Sequence, residues 1–146
     1  MNIGMIGGGN MGGALINGLW KKHSIRVCEQ DRAKMKRLAA RYKAVSSTVE
    51  AITKTCQVII LAVKPQDMDP VLDELKEYVR PKHLIISIAA GITCGYFEKK
   101  LGGRARVVRA MIVDGPEMVS TAPVKIRRPY ERLIAMARTT NMVVTA

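Results

Sequence analysis

Aromatic side chains are scarce in this 146-residue sequence: one Trp, four Tyr and one Phe, 4% of the chain. A surface that stacks nucleic-acid bases needs such rings interleaved with Arg, and no such stripe is present. Cysteine is scarcer still. Cys28, Cys56 and Cys94 are odd in number, widely spaced and without a CxxC pair. That excludes a disulfide scaffold and argues against a zinc site. No apolar run approaches the roughly 18 residues of a membrane span. Met1-Asn2-Ile3-Gly4 lacks the basic stretch and cleavage site of a secretory leader. A cytoplasmic protein without a membrane partner is what these absences leave.

Acidic residues are also few, 12 against 24 basic, for a net charge of +12. The excess is spread along the chain: ten basic and three acidic residues in 1–60, six of each in 61–103, eight against three in 104–146. Much of it reads as solvated helix surface, as in Lys34, Lys36, Arg37, Arg41 and Lys43. Nucleic acid is therefore not the expected partner.

What the chain does have is an alternation of two hydrophobic periods. Residues 2–6 form a short apolar run, and from Asn10 the residues Met11, Ala14, Leu15, Gly18 and Leu19 fall at helical spacing up to Lys21-Lys22. Residues 25–29 are extended again. Met35, Leu38, Ala39 and Tyr42 then form a helical stripe. Val58 to Val63 is apolar throughout, as a parallel strand covered on both faces must be. Asp69-Pro70 suits a helix cap and first position, with Val71, Leu72, Leu75, Tyr78 and Val79 on the buried side. Leu84 to Ala89 is a further strand. Thr93 begins a helix through Tyr96, Phe97 and Leu101 that Gly102-Gly103 stops. Strands at 107–111 and 142–145 flank a weaker helix at 130–137. The pattern predicts one α/β domain over 1–146: a doubly wound, mostly parallel sheet of Rossmann-like dinucleotide-binding type.

The first strand and helix are joined by Gly7-Gly8-Gly9-Asn10-Met11-Gly12, a GxGxxG motif in the context that gives it meaning. Gly7 lets the chain turn off the strand, Gly9 lets a pyrophosphate approach the backbone, and Gly12 lets the helix pack closely. Phosphates would meet free N–H groups and the positive end of the helix dipole. The second strand ends at Glu29-Gln30-Asp31-Arg32. An acid there accepts hydrogen bonds from the adenosine ribose and favours NAD, whereas a base neutralises the 2′-phosphate of NADP. Glu29 and Asp31 argue one way, Arg32 and Lys34 the other; Asp31 equally suits a helix cap.

Three ordered blocks are more specific. Ile6-Gly7-Gly8-Gly9-Asn10-Met11-Gly12, Leu61-Ala62-Val63-Lys64-Pro65-Gln66 and Ile86-Ser87-Ile88-Ala89-Ala90-Gly91-Ile92, followed by 106–111, resemble the N-terminal domain of pyrroline-5-carboxylate reductase over about residues 1–111. The resemblance implies NAD(P)H-dependent reduction of a cyclic imine acid to proline, with NADP as cofactor and NAD possible. It implies a cofactor site of Ile6, Gly7, Gly8, Gly9, Asn10, Met11 and Gly12, then Gln30 and Arg32, then Ala62, Val63, Lys64 and Pro65, then Ala89 and Ala90. No catalytic residue and no metal ligand is assigned.

The chain departs from the family in three places. Met111-Ile112-Val113-Asp114-Gly115-Pro116 stands where the family reads Met-Pro-Asn-Thr-Pro, Thr48 where it has an Asn near adenosine, and its helical dimerisation domain has no counterpart in 1–146. That predicts cofactor binding with little turnover by these residues alone, and self-association through the face that domain would cover. Two other readings remain open: a non-catalytic nucleotide-binding module, or another NAD(P)-dependent imine or hydroxyacid reductase. His23 and His83 fall in helix-to-strand connections, at the sheet edge away from the cofactor.

Overall fold

The computed structural model describes residues 1–112 and 142–145. Its strands are β1 (Asn2–Ile6), β2 (Ser24–Cys28), β3 (Val45–Ser46), β4 (Val58–Leu61), β5 (Leu84–Ser87), β6 (Arg106–Ile112) and β7 (Met142–Thr145). Between them run α1 (Asn10–Leu19), α2 (Arg32–Tyr42), α3 (Val49–Thr55), α4 (Met68–Tyr78) and α5 (Cys94–Leu101). They form one seven-stranded sheet in the order β3-β2-β1-β4-β5-β6-β7. The first six strands are parallel and β7 pairs antiparallel with β6. The expected doubly wound α/β architecture is the one observed. The helix expected at 130–137 lies outside the described residues.

Alternate residues of the central strands feed two cores, as a strand's period of two requires. Ile59, Leu61, Ile85 and Val107 pack with α3, α4 and α5 through Ile52, Met68, Leu72, Leu75, Phe97 and Leu101. Val58, Ile60, Leu84 and Val108 join the cluster that holds Ile16 and Leu19 of α1 and Met35 and Leu38 of α2. All four residues of β4 are buried, which is why that segment shows no polar alternation.

The helix ends follow local chemistry. Asp31 caps α2 by accepting from Ala33 N (2.9 Å) and Lys34 N (3.0 Å). Thr93 Oγ1 caps α5 by accepting from Tyr96 N at 3.3 Å. Gly102 closes α5 in the left-handed region at φ 62°, and Gly103 N donates to Glu98 O.

Three expectations change. The Asp69-Pro70 start of α4 moves back to Met68, after a 3-10 turn at Pro65–Asp67. Fully buried Met68 anchors the start, and the Asp69 carboxylate reaches Tyr96 Oη and Lys100 Nζ instead of its own helix. Pro70 sits in the first turn, where its missing N–H costs nothing. On α2, Ala39 is exposed although it lies in the expected apolar stripe. Finally, β3 and α3 occupy a stretch in which no element was expected. Gly4 belongs to the same feature: a Cβ there would overlap Ile52 Cγ2, so its absence lets α3 lie against β1.

Candidate functional site

The sheet order reverses between β1 and β4, and open α/β sheets bind ligands at the carboxyl ends of the strands flanking such a reversal. The glycine loop stands there. Gly7 N donates to Cys28 O at 2.9 Å, tying the loop to β2, while Ala62 N donates to Ile6 O at 2.8 Å, tying β4 to the strand beneath it. On the next strand, Ile88 N donates to Leu61 O at 3.1 Å. The ends of four neighbouring strands thus form one edge.

The loop glycines carry different constraints. Gly7 has φ +97°, and a Cβ on it would come within 2.6 Å of the Ala62 carbonyl oxygen. A Cβ on Gly12 would overlap the Gly7 carbonyl, so α1 presses directly on the loop. Gly9 is the opposite case, with nothing within 4 Å of where a Cβ would stand. No side chain caps α1 at Gly9. The N–H groups of its first turn, which no i−4 carbonyl reaches, remain available to an anion. A pyrophosphate needs this open backbone cradle at a positive helix end, and the residues present fit it.

Gly8 holds a constraint that the motif alone does not reveal. Its Cβ would lie 2.7 Å from Leu38 Cδ1 and 3.1 Å from Glu29 Oε2. Glu29 Oε2 accepts from Gly8 N at 2.6 Å, and Glu29 Oε1 accepts from Asp31 N at 2.9 Å. The acid after β2 is therefore fastened to the phosphate loop. Beside it opens a cleft of about 240 Å³ lined by Gly8, Gly9, Asn10, Lys34, Arg37 and Arg41, among others. Sequence reading leaves Arg37 and Arg41 as solvated surface. The signal that could have placed them is their i, i+4 spacing on the helix that follows the acidic strand end.

The other expected residues fall around this edge. Ile6 is only 3% exposed, and its side chain packs in the core at the end of β1, just before the loop. Asn10 and Met11 are exposed at the start of α1, and Gln30 and Arg32 are exposed at the start of α2. Ala62 and Val63 are half-buried; Lys64 and Pro65 are exposed and lead into the 3-10 turn. Ala89 is buried, its N–H donating to Ser87 Oγ at 3.2 Å, and Ala90 is exposed beside Gly91 at φ +77°. Pro65, Asp69, Gly91, Thr93 and Tyr96 line a second cleft of about 370 Å³. Tyr96, expected within α5, is exposed there and donates to the Asp69 carboxylate.

The two histidines lie away from this edge. His23 precedes β2 and His83 precedes β5, both at the amino ends of strands. Burial holds the imidazoles of both below the ordinary histidine value. Burial likewise pushes the thiols of Cys28, Cys56 and Cys94 up, away from nucleophilic use.

Known proteins share this fold. The family described as NADP oxidoreductase, coenzyme F420-dependent, matches residues 2–91. The chain belongs to that family. It is 37% identical over 115 residues to the pyrroline-5-carboxylate reductase of Pseudomonas aeruginosa, a match covering 75% of this chain and 42% of that protein. The chain thus spans less than half the length of such relatives. The pyrroline-5-carboxylate reductase structure from Coxiella burnetii superposes with a TM-score of 0.77 at 27% identity, over 97% of this chain and 57% of that one. The Plasmodium falciparum pyrroline carboxylate reductase with NADP bound has a TM-score of 0.72 over 98% of this chain and 56% of that one. At 19% identity it speaks for the fold alone. The similarity read from the three sequence blocks is therefore upheld.

Proposed function

We propose that residues 1–146 form one dinucleotide-binding domain of a cytoplasmic reductase. The substrate is a small cyclic imine acid, 1-pyrroline-5-carboxylate, and the product is proline. One observation carries the cofactor half: an uncapped helix start opens onto empty space above Gly9, at the reversal of strand order. The first-turn N–H groups at Asn10 and Met11 would hold the pyrophosphate, and Gly7 and Gly12 keep the loop tight beneath it. Gln30 and Arg32 flank the adenosine end. Ala62, Val63, Lys64 and Pro65 line the path toward the reacting end, where Ala89 and Ala90 let a flat ring approach the backbone.

When bound, the nicotinamide supplies the hydride, so the protein's task is position, charge and exclusion of water. The imine acid also needs a cationic or N–H-rich pocket for its carboxylate and a proton donor at nitrogen. Both histidines stand at the opposite edge of the sheet. That favours a second reading, a nucleotide-binding module without turnover.

Calorimetric titration tests the shared cofactor claim. Binding of NADH or NADPH is expected, and failure of both at millimolar concentration would end it. Absorbance at 340 nm then separates the two readings. Little turnover is expected of these residues alone; steady oxidation dependent on pyrroline-5-carboxylate excludes a purely binding role.

A further inference from the structure

Deepening the proposed cofactor site, we infer that Tyr96 is a positioning residue: through Asp69 it fixes the two turns that receive the nicotinamide end. The inference rests on the reading of those turns as the path toward the reacting end. What it adds is the device that sets the distance between them.

The two turns leave neighbouring strands. The first follows β4 from Ala62 into the 3-10 turn at Pro65–Asp67, and the second follows β5 from Ile88 to Thr93. Ile88 N donates to Leu61 O at 3.1 Å and joins them at the root. Farther out lies the cleft of about 370 Å³, lined by Pro65 and Gln66 of the first turn and by Gly91, Ile92 and Thr93 of the second. Asp69 of α4 and Tyr96 of α5 line the same cleft, and the Tyr96 hydroxyl donates to the Asp69 carboxylate.

Both ends of that bond stand on fixed backbone. Asp69 follows fully buried Met68, and Tyr96 precedes fully buried Phe97. Tyr96 N also donates to Thr93 Oγ1 at 3.3 Å, so the residue is bound to the second turn by its backbone and to α4 by its side chain. Lys100, one helical turn further along α5, places Nζ 3.5 Å from Asp69, 3.6 Å from Asp73 and 5.9 Å from the centre of the Tyr96 ring. The bond holds the Asp69 carboxyl below the usual carboxylate range and pushes the Tyr96 phenol up. At neutral pH the carboxylate stays an acceptor and the phenol a donor.

An exposed ion pair that merely joins two helices is the rival, and such pairs contribute little. The hydrogen bond differs in where it acts. Asp69 stands four residues after Pro65 and Tyr96 three after Thr93, so a shift at the bond reaches both turns within about one helical turn. Turns already held at the bound spacing spare a cofactor the entropy of ordering them.

The test is titration of the 146-residue chain with NADH and ADP-ribose, and with NADPH and 2′-phospho-ADP-ribose. Each fragment is its cofactor without the nicotinamide, and the pair whose cofactor binds tighter is the one read. On the unaltered chain the cofactor should bind tighter than its fragment. Tyr96→Phe keeps the ring and removes the hydroxyl; it should weaken the cofactor about three- to tenfold and leave the fragment within about twofold. Asp69→Ala should weaken it by a similar factor, and the double variant no more than either. An unchanged cofactor affinity in Tyr96→Phe overturns the inference, as does an equal loss for cofactor and fragment. So does a loss that Asp69→Ala fails to reproduce, because Tyr96 would then act on the cofactor directly. A fragment that binds the unaltered chain as tightly as its cofactor overturns it too, since the turns then hold no nicotinamide. Should Tyr96→Phe fail to fold, judged by its thermal melt, Asp69→Ala is read in its place. If neither cofactor nor fragment binds the unaltered chain, the nucleotide site itself fails, and this inference with it.

Discussion

Gly9 and Gly12 stand three residues apart in one loop, yet the space around them makes opposite demands. An alanine Cβ at Gly12 would overlap the Gly7 carbonyl, and backbone cannot step aside as a side chain can. Gly12→Ala should therefore destabilise the fold by about 1–3 kcal/mol, read from urea unfolding. At Gly9 nothing stands within 4 Å, and its φ of −66° is open to any residue. Gly9→Ala should leave the unfolding midpoint nearly unchanged while weakening cofactor binding by roughly tenfold or more, because the methyl enters space a pyrophosphate needs. A Gly9→Ala protein that binds NADH as before would sink the cradle. The motif made both glycines legible. It gave no sign that Gly8 is held by Glu29 Oε2, since that contact joins residues 21 apart across two strand ends.

Among the elements, α3 shows where sequence reading stops. Its seven residues, VEAITKT, are rich in β-branched types, follow a strand of two residues, and present only Val49, Ile52 and Thr53 to the core. Too few apolar positions recur to reveal a helical period. Tertiary contacts hold it: Thr48 caps its start, and buried His83 ties its far end to β5. His83 Nδ1 accepts from Arg80 N at 2.8 Å, and its Nε2 faces Thr53 O at 2.9 Å, so the ring fits as a neutral imidazole that donates to Thr53. Burial, seconded by the charges of Lys82 and Arg80, keeps its pKa below the ordinary value.

The sign of the pH effect follows. Between the folded value and the unfolded value of about 6.5, the unfolded chain binds a proton that the folded one refuses. Stability from this site is complete above about pH 6.5 and is lost as pH falls toward the folded value. Urea midpoints from pH 7.5 down to 5 should decline, and His83→Gln should remove part of that slope. His23, lowered in the same sense, contributes as well. A slope that His83→Gln leaves unaltered would contradict this account.

At the scale of the whole molecule, five of the six parallel strands and four of the five helices among the described residues were legible, because those helices show an apolar face and the central strands lack polar alternation. The sheet brings the three sequence blocks, more than 80 residues apart at their extremes, to one edge. The relatives extend well beyond the matched region, since the match covers 42% of one of them.

Periodicity and glycine spacing carried the alternating elements, the loop and its kinship, because burial on a sheet writes itself into local patterns of apolar and polar residues. The task given to each charged group at the end of β2 was not written there. Glu29, Asp31, Arg32 and Lys34 are near neighbours in sequence, and only folding decided which one crosses to the loop, which caps a helix and which is spent in an ion pair. A hydrogen bond depends on distance in space, and composition and period leave that distance open.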